Sequence, residues 1–147
     1  MLLTAGVLSL AAAVMFVARL QRLDGTDPAR LIGQLRLAQW VAVALAMLGG
    51  APIGLAVVTS ATDPLAHLDL ALGIGFVLTA GLVLHRDPVQ ALRLAAAGFM
   101  AHALVQIAHG RGWLTPGLAP MWFIAGCASY DVALAAVCFW AARRARP

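Results

Sequence analysis

The chain has 147 residues, of which 63% are hydrophobic and only 11% charged, with a formal net charge of +4 and a mean hydropathy of +0.91. Soluble domains carry about a quarter of their residues as Asp, Glu, Lys or Arg, so this composition excludes a soluble globular enzyme and indicates an integral membrane protein. The pI near 10.5 raises nucleic acid as a partner, but the arginines lie in loops and a tail between apolar runs, where such charges set orientation, and no nucleic-acid partner is expected.

Five apolar runs follow one another at about 2–20, 36–59, 65–85, 89–109 and 120–142, each near the roughly 20 residues that span about 30 Å of hydrocarbon. The expected fold is therefore all-α: a polytopic membrane helix bundle of about five transmembrane helices in a single domain covering 1–147. The first run, MLLTAGVLSLAAAVMFVARL, has its first charge at Arg19, after the apolar stretch. It lacks the positive n-region of a signal peptide and reads as a retained helix. Asp27-Pro28, Asp63-Pro64 and Asp87-Pro88 precede the second, third and fourth runs. Each supplies an N-cap carboxylate and a proline suited to the first helical position. The second helix is expected to begin at Pro28, with ARLIGQLR in the interface. Gly110 is the expected C-cap of the fourth helix.

Small residues should make the helix contacts. Gly50 and Gly54 form a small-xxx-small pair in the second helix, with Pro52 between them a candidate kink. Gly73, Gly75 and Gly81 stud the third helix, Gly98 the fourth and Gly126 the fifth. Cys127 and Cys138 are about 16 Å apart along one helix, too far to bond to each other.

Counting arginines by alternate compartments gives nine against one, with Arg111 the exception. The positive-inside rule then puts the N-terminus outside and the C-terminus in the cytoplasm. Trp40 and Trp140 fall near the cytoplasmic ends of their helices, and Trp113 and Trp122 near the outer face, as an interfacial belt requires. All basic residues are arginine and all acidic ones aspartate. With the abundant alanine, this points to a high-GC bacterial genome and hence to a bacterial cytoplasmic (inner) membrane.

The fourth run carries a polar stripe in GFMAHALVQIAHGRG. His102, Gln106 and His109 are spaced four and three apart, on one helical face. His109 falls at the outer interface and His102 about 10 Å deeper. His67 and Asp69 enter from the outside on the third helix, and Asp131 lies near the midplane of the fifth. Ionisable groups in lipid must face protein, water or a partner, so a buried cluster of Asp69, His102, Gln106 and Asp131 is expected, with His109 interfacial and dispensable. His85 opens the loop HRDP, where it is solvated. Arg93 snorkels to the cytoplasmic headgroups.

The stretch from Asp69 through LALGIGF, followed by a polar stripe one helix later, resembles small bacterial membrane proteins of the DoxX-like sort. The similarity covers the third and fourth helices, consists mostly of shared hydrophobicity, and implies no activity.

There is no His-x₃-His pair, no Cys-x-x-Cys, no nucleophile elbow and no Gly-rich phosphate loop. The first functional reading is accordingly a membrane protein without catalytic activity, an accessory or assembly subunit whose partners are the lipid bilayer and either other membrane subunits or further copies of itself. A second is a metal- or haem-binding redox protein with ligands among His67, His102 and His109. A third is a small proton-coupled transporter using Asp131 and His102. The sequence requires no cofactor.

The orientation has a direct check. A single thiol at Ala61 should label from outside intact cells, and one at Ala145 only after permeabilisation. The reverse pattern would invert the topology.

Overall fold

The structure, a computed structural model, describes residues 2–59, 64–115 and 120–143. Five helices follow in chain order: α1 (Leu2–Leu20), α2 (Pro28–Thr59), α3 (Pro64–Leu84), α4 (Pro88–Gly110) and α5 (Met121–Arg143). No strand occurs among the described residues. Among the described residues four stretches are long and apolar enough to cross a membrane: Pro28–Gly54, Pro64–Leu84, Pro88–Gly110 and Met121–Ala142. In α1 the apolar stretch Gly6–Leu20 is shorter. Met47, Leu78, Leu104 and Phe139 are exposed around the bundle, as lipid-facing side chains must be. A helical bundle of this kind satisfies its backbone hydrogen bonds within each helix, the condition for crossing hydrocarbon.

The starts of α2 and α4 are set by their Asp-Pro pairs. Asp27 Oδ1 accepts from Ala29 N at 2.8 Å, and Asp87 Oδ1 accepts from Val89 N and Gln90 N at 3.2 and 3.1 Å. Each carboxylate answers first-turn amides that have no partner within the helix. Asp63 lies outside the described residues. At the other end of α4 the structure corrects the expected cap. The left-handed residue is Gly112, with φ of 72°, not Gly110, the last helical residue. Gly112 N donates to His109 O and Trp113 N to Ala108 O, both at 3.0 Å, the paired bonds of a Schellman motif. The sequence GRG offers two glycines, and the chain uses the second.

The most extensive contacts join α2 to α3 and α4 to α5. Helix α4 also packs on α2 and α3, and α1 leans lightly on α5. The apolar core is concentrated toward one end. It is built from Leu37, Val41 and Leu45 of α2, Phe76 and Val83 of α3, Leu92 and Phe99 of α4, and Leu134 and Cys138 of α5, with Val17 of α1. These are the segments nearest the arginine-bearing loops. At the opposite end the helices are less completely packed, and the polar residues and a cavity lie there.

The α2–α3 crossing rests on Gly49 and Gly73. A Cβ on Gly73 would meet Gly49 O at 2.7 Å, and one on Gly49 would meet Gly73 O at 2.6 Å. The expected pair, Gly50 and Gly54, has nothing within 4 Å of either position, so those glycines are not the contact. The 3.6-residue period turns Gly49, one position earlier, onto the buried face, and there Gly73 also admits the Pro52 ring. Gly75 and Gly81 likewise face open space, whereas Gly98 receives Leu45.

Gly73→Ala should therefore force two backbones apart and cost about 1–3 kcal/mol, as overpacking does. Gly75→Ala should be neutral or stabilising by up to about 1 kcal/mol, through helix propensity. Thermal unfolding in detergent distinguishes the two, and equal midpoints would contradict the crossing.

Candidate functional site

Helix α4 lies among α2, α3 and α5, so polar residues on its buried face can meet partners on two neighbours. His102 Nδ1 lies 2.6 Å from Asp131 Oδ2 of α5. The histidine is 5% exposed and the aspartate 1%. A carboxylate only accepts, so Nδ1–H donates and the ring's other nitrogen, Nε2, can accept a proton. The pair therefore has two chemically simple states: neutral imidazole on carboxylate, and imidazolium on carboxylate. The ring edge also meets Phe76 of α3, with centroids 5.1 Å apart at 78°. That T-shaped contact fixes the imidazole plane.

The second histidine is paired too. His109 Nε2 lies 3.1 Å from Asp69 Oδ1 of α3, while His109 Nδ1 donates to Val105 O at 3.0 Å. The Nε2–Oδ1 approach has ion-pair length but lacks hydrogen-bond alignment, and neither buried atom has a hydrogen-bond partner. With its Nδ1 proton committed to a carbonyl, a neutral ring would turn a lone pair toward the carboxylate. A second proton converts that contact into a charge pair.

The polar residues thus form two pairs rather than one cluster. Asp69 and Phe76 are seven residues apart on α3, as are His102 and His109 on α4. Because the two helices run antiparallel, Asp69 meets His109 and Phe76 meets His102. His109, expected to be interfacial, is instead set against a buried aspartate. Gln106 is half-buried and belongs to neither pair. His67 is exposed, and His85 donates from Nδ1 to Gly81 O at 2.8 Å at the arginine-rich end.

Beside Asp131 lies a cavity of about 400 Å³ between α1 and α5, reached also by Leu48 of α2. Its walls include Val7, Leu10, Trp122, Phe123 and Tyr130, with Asp131 and Cys127 the ionisable groups beside the tyrosine. The Ser9 and Tyr130 hydroxyls, 2.8 Å apart, tie α1 to α5 at its edge. Sequence reasoning located Asp131 but not this cavity. Its apolar lining looks in the sequence like any lipid-facing stretch, and only the light packing of α1 creates the space.

The expected metal ligands do not converge. Among the described residues no group of three or more His, Cys, Asp or Glu side chains could hold a metal ion, and His102 and His109 each face a carboxylate on a different helix. No family model, no curated protein and no solved structure matches this chain.

A double-mutant cycle of His102→Ala with Asp131→Asn should return a coupling between about 0.6 and 1.7 kcal/mol, the range from the mean to the maximum measured by such cycles for interhelical polar contacts in membranes. His109→Ala should also destabilise, by leaving Asp69 buried without its partner. A coupling near zero in detergent unfolding would contradict the pairing.

Proposed function

We propose that this multi-pass membrane protein is a small proton-coupled carrier. In this reading Asp131 and His102 hold the exchangeable proton, and the adjacent cavity takes an apolar ligand bearing a positive charge. The observation that carries the reading is the position of the pair: a buried carboxylate–imidazole contact at the wall of an otherwise apolar cavity. Ionisable side chains inside a membrane span are costly, and they mark proton and substrate paths. A pair serving only to hold α4 against α5 would need no cavity beside it.

The chemistry is an exchange. With the cavity empty, a proton on the pair makes imidazolium on carboxylate. A ligand cation entering between Trp122, Phe123 and Tyr130 gains aromatic and carboxylate contacts. It replaces the imidazolium charge at Asp131, and the proton leaves to solvent. The groups facing the pair are Phe76 from α3, Cys127 and Tyr130 on α5, and Ser9 of α1 through Tyr130, and none is an arginine or a further carboxylate. By the arginine count the cavity end would face outward across a cytoplasmic membrane, so the ligand would enter from the outer leaflet side. The accessory-subunit reading rests on absent motifs and on glycine-bearing helix faces, and it draws nothing from the pair and its cavity.

Tetraphenylphosphonium is a suitable probe. In weakly buffered detergent solution its binding, followed by Trp122 fluorescence, should release protons in step with occupancy. Asp131→Asn should bind it more weakly and release none. Binding without proton release, or equal release from the variant, would overturn the reading.

A further inference from the structure

The hydroxyl groups on the wall of the α1–α5 cavity have their protons committed. Ser9 Oγ donates to Gly6 O at 2.8 Å, since a backbone carbonyl only accepts. A hydroxyl has one proton, so in the 2.8 Å contact between Ser9 Oγ and Tyr130 Oη the phenol is the donor. Ser129 Oγ donates to Ala125 O at 2.8 Å. Among the described residues lining the cavity, Ser129 and Tyr130 carry the hydroxyls, and both can meet a ligand only as acceptors. Asp131 is also an acceptor. Its Oδ2 accepts from His102 Nδ1, so a ligand at this wall meets Oδ1. The remaining donors are peripheral or weak: the indole N–H of Trp122, which is 63% exposed, and the Cys127 thiol.

Two of these acceptors stand together. Tyr130 and Asp131 are successive residues of α5, about 100° apart around its axis, and both line the cavity. Ser129 is a further 100° or so round, away from Asp131. The phenol is held from α1 by Ser9, which gives its lone pairs a set direction. Directed acceptors in an otherwise apolar wall favour a ligand that brings N–H groups, because a buried polar group is costly unless it is hydrogen-bonded.

We infer that this cavity takes a lipophilic primary or secondary ammonium and discriminates against fully alkylated cations, with Tyr130 setting the preference. The inference rests on the carrier reading and names the class of its ligand. One N–H meets Asp131 Oδ1 and a second meets Tyr130 Oη. The faces of Trp122 and Phe123 attract any cation, so they add affinity without counting N–H groups. A tertiary ammonium has one N–H and satisfies Asp131 alone, and a quaternary ammonium has none. Each N-methyl group lowers the cost of taking the cation out of water, so an apolar cavity without directed acceptors would rank the same cations in the opposite order.

The test is calorimetric titration of the full chain in detergent at pH 7, corrected for partition into protein-free micelles. The probes are 4-phenylbutylammonium and its N-methyl, N,N-dimethyl and N,N,N-trimethyl analogues, which share one apolar body and carry three, two, one and no N–H groups. Affinity should be similar for the first two, fall about tenfold to the dimethyl cation and about tenfold again to the trimethyl one, each fall being the loss of one charge-assisted hydrogen bond. Tyr130→Phe should erase the first fall and keep the second. Ser9→Ala breaks the same tie between α1 and α5 but leaves the phenol oxygen in place, and should keep both. Equal affinity across the series, affinity rising with methylation, or equal loss of the first fall in the two variants would each overturn the inference. Tetraphenylphosphonium separates this failure from that of the underlying reading. Its proton-coupled binding beside a flat or rising amine series overturns the amine preference alone, whereas failure of all five cations to bind overturns the carrier reading with it.

Discussion

Hydrocarbon offers no hydrogen-bond partner, so a carboxylate inside a membrane span must find its counter-group on another helix. Two aspartates of this chain, Asp69 and Asp131, are buried inside spans, and both find that group on α4. His102 reaches α5 and His109 reaches α3. The seven-residue separation of the two histidines, two helical turns, keeps them on one side of α4 while separating the pairs by about 10 Å along its axis. The rotation of α4 against its neighbours follows from this, since turning it would expose both carboxylates at once.

The bundle is asymmetric along its length, and the asymmetry organises the functional reading. At the arginine-rich end, Leu45, Val83, Leu92, Phe99 and Cys138 are almost wholly buried, and five helices contribute to one core. At the other end, α1 touches α5 lightly and leaves a cavity that Asp131 borders. Close packing resists deformation, so in the proposed carrier the packed end would be the fixed part and the loosely held α1 the part that admits a ligand. The Ser9–Tyr130 contact is then a tie across the entrance.

Much of the fold was legible because membrane helices announce themselves by length and punctuation. The five runs match the five helices within a residue or two at most ends, and α2 begins at Pro28 as its Asp-Pro signal implied. What could not be read was register between helices. That Asp69 meets His109 rather than His102 depends on how far α3 and α4 slide past one another, and no pattern within either helix encodes that distance. The same holds for Gly49. Among Gly49, Gly50 and Gly54, composition favours the i, i+4 pair, but the close approach to Gly73 is decided by which face of α2 turns inward. The cavity beside Asp131 was invisible for a related reason: it is a property of the space between helices.

His102 donates a hydrogen bond from Nδ1 to the Asp131 carboxylate inside the bundle, and its Nε2 can accept a proton. Solid-state NMR of the protein in bilayers, with ¹⁵N-labelled histidine and ¹³C-labelled aspartate, reads that contact directly. The expected spectrum shows a His102 Nδ1 resonance of a protonated nitrogen with a through-space correlation to the Asp131 carboxylate carbon. A His102 ring with no correlation to Asp131 at any pH would contradict it.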